Sequence, residues 1–290
     1  MNYLQNYRDL KRARGVTLRS RFRHLLLDVL AHQSRSSLDE RFDTPRVQFI
    51  YIHHVFRDEE ESLRTLLTKL SEKHTFISHT DAWTKVLSGK IDKPYMSFSS
   101  DDGFLNNRRA AAIFNEFNAS ACFFICPSMI GVKDPNVISR FCKDKLHIPP
   151  VEFMDWDDIH HLQRDGHEIG SHTLSHVNIA DTAISALDEE IGTAFTTIKE
   201  RCGEGQHFAF PYGRHVHFNA AARECIFRFG HTSCSSAERG CHLSNDHPIG
   251  ANDLLIRRDH VVLDWPIEHN LYFLARNAAD KRFQQSHFRD

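Results

Sequence analysis

Two adjacent carboxylates, Asp101 and Asp102, directly follow the short apolar run YMSFSS (95–100). Neighbouring like charges repel each other unless a cation or a shared proton relieves the repulsion. Asp-Gly is also a common turn dipeptide, and Asp102 can alternatively cap a helix that begins near Asn106. The pair therefore predicts either a cation site at a strand end or a tight turn.

A second candidate site is the histidine pair His172 and His176 in GHEIGSHTLSH. Histidines at i and i+4 lie on one face of a helical turn, a spacing that lets both imidazoles reach one metal. In a chain with 21 histidines the spacing alone is weak evidence. Its position counts for more, because the pair follows a short apolar strand and so falls at another strand end.

A third segment, Phe210-Pro211-Tyr212-Gly213, ends the apolar run HFAF (207–210). A proline-containing turn is the simpler interpretation. The functional alternative is a rigid loop that aims a backbone N–H at a reacting oxygen.

The elements that must position these residues alternate between short apolar runs and helical patterns. We predict strands at 47–52, 75–78, 95–100, 121–125, 167–169, 207–210 and 254–258. We predict helices at 59–70, 81–87, 106–117, 156–164, 184–202 and 219–229. Repeated strand–helix units predict an α/β fold with a parallel sheet, closed into a barrel, in which chemistry collects beyond the carboxyl ends of the strands.

Composition excludes several classes of protein. The 290 residues are 41% hydrophobic and 26% charged, as in ordinary globular proteins, and a net charge of −2 does not favour nucleic-acid binding. Seven cysteines without a C-x-x-C pair indicate reduced, mostly buried thiols. The basic N-terminus is not followed by an apolar stretch, so we expect a cytoplasmic protein.

Residues 1–44 differ from the rest, because arginine and lysine crowd positions 8–23 ahead of a helical pattern around Leu25. We predict a basic N-terminal helical extension and linker, followed by a main domain at 45–290. The extension is either a solvated helix packed on that domain or a basic patch that makes peripheral contact with an anionic membrane or a lipid-linked substrate.

Residues from about 47 to 235 resemble a polysaccharide deacetylase domain, of the NodB-homology or carbohydrate esterase family 4 type. The resemblance rests on the Asp-Asp-Gly, His-Thr-x-x-His and Pro-Tyr-Gly motifs, which occur in the family's order, and on ACFFICPSMIG between them. The segments YIHH (51–54) and FAFPYG (208–213) are similar to a subgroup acting on amino-sugar polymers. The resemblance implies a distorted parallel (β/α) barrel with 45–290 as the catalytic domain.

The resemblance also implies roles for individual residues. Asp102, His172 and His176 would hold a divalent metal, in first place Zn²⁺, with Co²⁺, Ni²⁺ and Fe²⁺ also compatible with this donor set. Asp101 would be the general base that takes a proton from water, and the backbone N–H of Tyr212 would stabilise the oxyanion. The expected substrate-binding residues are Pro211, Tyr212, Phe104 and His53.

The chain departs from the family pattern in several places, and it lacks the family's Asp-x-x-Asp-Trp motif. Ser99 and Ser100 replace an aromatic residue before the two aspartates, which predicts a bulge at the strand end. Ala209 replaces an arginine that normally orients the catalytic aspartate, so Asp101 is expected to be held differently. The family's closing Leu-x-His is missing, and His260 is the candidate for the general acid.

The implied function is removal of N-acetyl groups from amino sugars of a glycan, an oligosaccharide or a lipid-linked precursor. Two alternatives remain: a degenerate scaffold that binds glycan without hydrolysing it, and an amidase of the same fold acting on a small non-sugar N-acyl substrate. An open groove lined by Trp156, Phe104 and Tyr212 would favour a sugar, because aromatic faces stack on sugar rings.

Overall fold

The computed structural model describes residues 3–15, 18–279 and 288. In this part of the chain the strands are β1 (Arg46–Ile52), β2 (Thr75–Phe76), β3 (Pro94–Ser100), β4 (Ala121–Ile125), β5 (Glu168–Ser171), β6 (His207–Ala209), β7 (Ser233–Ser235), β8 (Leu255–Ile256) and β9 (Arg258–His260). The α-helices are α1 (Tyr7–Arg14), α2 (Leu18–Ser34), α3 (Leu38–Asp43), α4 (Glu60–Ser71), α5 (His79–Ser88), α6 (Asn107–Glu116), α7 (Pro135–Phe141), α8 (Trp156–Arg164), α9 (Ile184–Leu187), α10 (Ala194–Cys202), α11 (Ala220–Arg228) and α12 (Ile267–Ala279).

All strand pairs are parallel, and the sheet runs in the order β8-β7-β6-β5-β4-β3-β1-β9, with β2 paired to β3 outside this path. The two ends of the path, β8 and β9, are separated in the chain by Arg257 alone. The sheet therefore curves round on itself into a nearly closed barrel. This confirms the predicted parallel (β/α) barrel.

Parallel strands inside such a barrel are covered on both faces, which favours continuous apolar runs. All seven residues of β1 and all five of β4 are buried. Helices α4 and α6 cover this part of the sheet with Leu63, Leu67 and Phe114. Six of the seven cysteines are buried as free thiols.

Three predictions about elements were incomplete. β7 was not expected, because Ser-Cys-Ser at 233–235 has no apolar signature. The predicted strand 254–258 is two strands, β8 and β9, which pair with β7 and β1 respectively. The helix predicted at 184–202 is interrupted by a π-helical segment, Asp188–Thr193, between α9 and α10.

The N-terminal segment packs on the barrel. In α1, Leu10 is completely buried, and the backbone amides of Tyr7 and Arg8 donate to the carboxylate of Asp58. Helix α2 packs along α12. Within residues 3–15 and 18–279, no helix combines the length and the apolar character needed to cross a bilayer.

Candidate active site

The three motif segments end on the same side of the barrel and surround one cavity of about 340 Å³. The loops after β3, β5 and β6 supply five of its chemistry-bearing side chains. These are Asp101, Asp102, His172, His176 and Tyr212. Because parallel strands bring their carboxyl ends to one edge, residues more than 100 positions apart in the chain meet here.

Asp102, His172 and His176 form a buried cluster in which one ligand atom of each lies within 4.8 Å of the others. Asp102 Oδ1 is 3.3 Å from His176 Nε2 and 3.6 Å from His172 Nε2. Burial alone would raise the pKa of Asp102, but the imidazoles of His176, His53 and His172 lower it well below its usual range. The carboxylate is therefore ionised at neutral pH.

The hydrogen bonding of this cluster fits a divalent metal. The carbonyl of Ala209 lies 2.7 Å from His172 Nδ1 and can only accept, so Nδ1 carries the proton and Nε2 presents its lone pair. Burial lowers the pKa of His172 to about 4, so this ring is neutral at pH 7. Asp102 Oδ1 is buried and receives no hydrogen bond from the described residues. One carboxylate oxygen and one nitrogen from each of two imidazoles converge here, a donor set that suits a divalent cation.

The backbone from His172 to His176 is a turn and not the helical turn that the i, i+4 spacing predicts. Thr173 and His176 have left-handed φ values of 61° and 55°, which a helix does not contain. Glu190 holds the turn from outside, because its carboxylate accepts from the backbone N–H and the hydroxyl of Ser175. The two imidazoles thus converge through a strained loop.

Strained backbone is concentrated around the cavity. Positive φ is uncommon outside glycine and costs of order 1–3 kcal/mol, which the surrounding structure must offset. Four cavity-lining residues adopt it, namely Asp102, His147, His176 and Tyr212. This clustering is typical of a functional site.

Asp101 is held by Arg258 on β9, a residue that the sequence analysis missed. The guanidinium donates two hydrogen bonds to the carboxylate, Nη1 to Oδ1 at 2.7 Å and Nη2 to Oδ2 at 2.9 Å. Burial alone would raise the pKa of Asp101, but Arg258 and His172 outweigh it and the pKa falls below its usual range. The expectation that Asp101 is held differently, given Ala209, is confirmed: the arginine comes from another strand.

The predicted bulge before the aspartates is wrong. β3 pairs with β1 in one unbroken register to Ser100, which lies opposite Ile52. Ser99 donates to the carbonyl of Ile50 and accepts from Arg258 Nη1. A small residue here leaves space for the guanidinium, which also lies 4.7 Å from the ring of Tyr51.

The loop after β6 places Tyr212 at the cavity and buries Pro211. Tyr212 is 38% exposed, has a φ of 62° and donates its hydroxyl to the carbonyl of Lys145. Gly213 is required at the next position, because a Cβ there would come within 2.3 Å of Ala237 Cβ. Pro211 is buried and does not line the cavity, so its role is to shape the loop.

Two further histidines reach the cavity, His53 after β1 and His260 at the end of β9. Their rings meet edge to face at 5.2 Å, and His260 stacks on Tyr51. Burial lowers the pKa of His53, and the negative charges of Asp102 and Asp101 oppose this. Burial lowers the pKa of His260 far below its usual range, and the neighbouring His53 and Arg239 lower it further. The two predicted site residues therefore have different electrostatic surroundings.

The predicted aromatic groove is only partly present. Phe104 lines the cavity but is 1% exposed, and Trp156 packs on the core away from it. Tyr212 is accessible, and an unforeseen second tyrosine, Tyr7 from α1, lines the cavity and contacts the ring of His54. The N-terminal extension is thus part of the cavity wall, a contribution that no local motif signals.

Comparison with known proteins agrees with this geometry. The family model for polysaccharide deacetylase matches residues 88–233. This range is half of the chain, and it contains the aspartate pair, both histidines and the Pro-Tyr-Gly loop. The chain belongs to the polysaccharide deacetylase family.

A curated relative is a chitooligosaccharide deacetylase of Azorhizobium caulinodans, 42% identical over 53 residues. That stretch covers 18% of this chain and a quarter of the relative's length. Among solved structures, the deacetylase PplD of Streptococcus pyogenes, in complex with acetate, superposes with a TM-score of 0.63 at 12% identity, covering 80% of this chain and 99% of that one. IcaB from Ammonifex degensii gives 0.61 at 17% identity, covering 80% and 98%. These similarities show the fold.

Proposed function

We propose that this chain is a metal-dependent hydrolase that removes N-acetyl groups from amino-sugar residues of a glycan or glycan precursor. One observation carries the proposal. A buried Asp-His-His cluster with converging ligand atoms lies in the same cavity as a carboxylate, Asp101, that an arginine holds in the ionised form. Family membership and the chitooligosaccharide deacetylase relative support the N-acetyl amino-sugar class of substrate.

Asp102, His172 and His176 would hold the metal. One carboxylate and two imidazoles form a donor set suited to zinc and leave coordination positions open. The metal would act as a Lewis acid on the amide carbonyl and on the attacking water.

Asp101 is the proposed general base. Its ionised form is ready to accept a proton from water at neutral pH, because the pKa is lowered by Arg258. The two hydrogen bonds from the guanidinium fix both carboxylate oxygens, so the remaining lone pairs have defined directions. Arg258 is in this account a positioning residue.

Tyr212 is proposed to contribute through its backbone N–H. Its left-handed conformation is held on one side by the close approach of Gly213 to Ala237 and on the other by the hydroxyl bond to Lys145. A pre-positioned amide of this kind stabilises negative charge on the tetrahedral oxygen without reorganising during the reaction.

The departing amine needs a proton, and His53 and His260 are the candidates. We propose His53, because burial lowers its pKa but the negative charges of Asp102 and Asp101 oppose that lowering, which they do not do for His260. His260 lies behind it, stacked on Tyr51, among cations that disfavour protonation. His260 is then expected to orient His53 by ring contact.

The proposal is tested by acetate release from N-acetylglucosamine oligomers, compared with N-acetyl amino acids of similar polarity. Zinc-reconstituted protein should release acetate from the oligomers, and Asp101→Asn should not. Release from the amino acids alone would favour the small-molecule amidase. Oligomer binding without any release would favour the glycan-binding scaffold.

A further inference from the structure

Helix α2 carries an apolar stripe on its outer face. Phe22, Leu25, Leu26 and Val29 are 71%, 64%, 52% and 53% exposed. Their i, i+3, i+4, i+7 spacing places them on one side of the helix. The opposite side holds the buried residues Leu27 and Ala31, and α2 packs along α12.

This stripe differs from the other exposed apolar residues of the described chain. Val137, Ile184, Tyr212 and Val216 are scattered singly over other segments, as is normal on a protein surface. Four large apolar side chains at neighbouring positions of one helix form a contiguous patch, which marks an interaction site.

The patch adjoins a strongly basic segment. Residues 8–23 contain seven arginines and lysines and one acidic residue, a net charge of +6 in a chain whose total is −2. In the described part of this segment, the side chains of Arg8 and Arg12 are both 82% exposed, and Lys11 is 51% exposed. The three basic side chains thus reach solvent, and each also lies within 4.0 Å of a carboxylate of this chain, those of Asp58, Asp264 and Asp9.

We propose that α2 docks on an anionic lipid surface, with the stripe at the headgroup–acyl boundary and the basic residues at the phosphates. Apolar burial and attraction to anionic lipid together determine the affinity of such helices. A second copy of this chain is a poorer partner, because pairing two α2 stripes would bring two +6 segments together.

The docked surface would adjoin the cavity. Arg23 lies over the ring of Trp265 at 4.8 Å, and Trp265 follows residues 261–263, which line the cavity. Lys11 is also paired to Asp264 in this loop, at 2.6 Å. A lipid-linked amino sugar would then be presented near the cavity rim, a consequence that rests on the proposed function.

The test is co-sedimentation of the full chain with vesicles of phosphatidylcholine alone or mixed with phosphatidylglycerol. We expect binding to the mixed vesicles only, weakened by high salt. Phe22→Ser/Leu25→Ser should lower the affinity by about tenfold or more. The matched control is Ile184→Ser/Val216→Ser, which changes two residues that are each 73% exposed and should bind like wild type.

A second variant, Arg8→Ser/Arg12→Ser, should lose affinity and salt dependence together while retaining the apolar stripe. Circular dichroism verifies that each variant is folded. The proposal would be overturned if wild-type protein did not bind the mixed vesicles, or if Phe22→Ser/Leu25→Ser bound them as well as the control variant. A concentration-dependent dimer that Phe22→Ser/Leu25→Ser dissolves would also overturn it. Vesicle binding is measured without turnover. A negative binding result would therefore overturn the docking proposal and leave the proposed hydrolysis unaffected.

Discussion

Arg258 and Asp101 form a fully buried bidentate ion pair between β9 and the end of β3, 157 residues apart in the chain. Breaking such a pair by removing one partner typically costs about 3–5 kcal/mol, because the other charge stays buried. The pair therefore contributes to the closure of the barrel as well as to the chemistry of the cavity.

Replacing this arginine should reduce both stability and activity. Arg258→Gln should lower kcat/KM about 100-fold, because the carboxylate loses its fixed orientation. Activity requires ionised Asp101 and falls as pH falls through its pKa. Without the guanidinium that pKa rises, so the acid limb of the kcat/KM profile should shift to higher pH. An unshifted limb would contradict the positioning role.

The arginine can also be moved back to the position that the family resemblance implies. Ala209 packs with Phe124, whose ring lies 5.1 Å from the Arg258 guanidinium, so a side chain from position 209 can enter the space that Arg258 leaves. Ala209→Arg/Arg258→Ala should recover about tenfold over Arg258→Ala, as expected for strongly coupled sites. A double variant no better than Arg258→Ala would show that the two positions are not equivalent.

Two substitutions should distinguish the general base, Asp101, from a metal ligand, His172. Asp101→Asn should keep the metal and lose about a thousandfold in turnover, because it cannot accept the proton. His172→Ala should lose both metal and activity. Parallel measurement of bound metal and acetate release gives the comparison. Turnover near wild type in Asp101→Asn would exclude this base.

His53 and His260 should differ in how strongly their substitution lowers turnover. His53→Asn should lower kcat about 100-fold with metal retained, a loss typical of a missing general acid. His260→Asn should have a smaller effect, since its ring acts through contact with His53. If the larger loss appears in His260→Asn instead, the acid role belongs to His260.

Buried neutral histidines should make the protein sensitive to acid. Burial lowers the pKa of His231 to about 3, and its Nδ1 donates to the carbonyl of Gly205 at 2.8 Å. The unfolded state binds this proton below about pH 6.5 and the folded state does not, so stability is lost as pH falls from there. His231→Phe should reduce the slope of the unfolding free energy against pH by about 1.4 kcal/mol per pH unit between pH 6 and 4. Urea titrations at each pH measure it, with pH 8 as reference, and an unchanged slope would contradict the assignment.

Local patterns predicted the parts of the site that lie next to strand ends. Asp101, Asp102, His172 and Tyr212 each follow an apolar run, so their meeting at one edge follows from parallel pairing. Arg258 was missed because it lies in a predicted strand, 254–258, without a recognisable motif, and only tertiary packing buries its guanidinium against Tyr51 and Phe124.

Other features depended on tertiary packing alone. β7 is short and polar, and it forms because β6 and β8 lie on either side of it. Tyr7 reaches the cavity because Asp58 anchors the start of α1, a contact between segments about 50 residues apart. Trp156 starts α8 as expected, but its ring packs on the core and under Arg201.

The most direct test of the account is metal stoichiometry by elemental mass spectrometry on protein reconstituted with zinc. Wild type is compared with Asp102→Ala and His176→Ala, with Glu190→Gln as a variant that perturbs the loop but keeps all three ligands. We predict about one zinc per wild-type chain, little in the two ligand variants and near-normal content in Glu190→Gln. No stable metal in the wild type, or equal metal in all four proteins, would contradict the central claim.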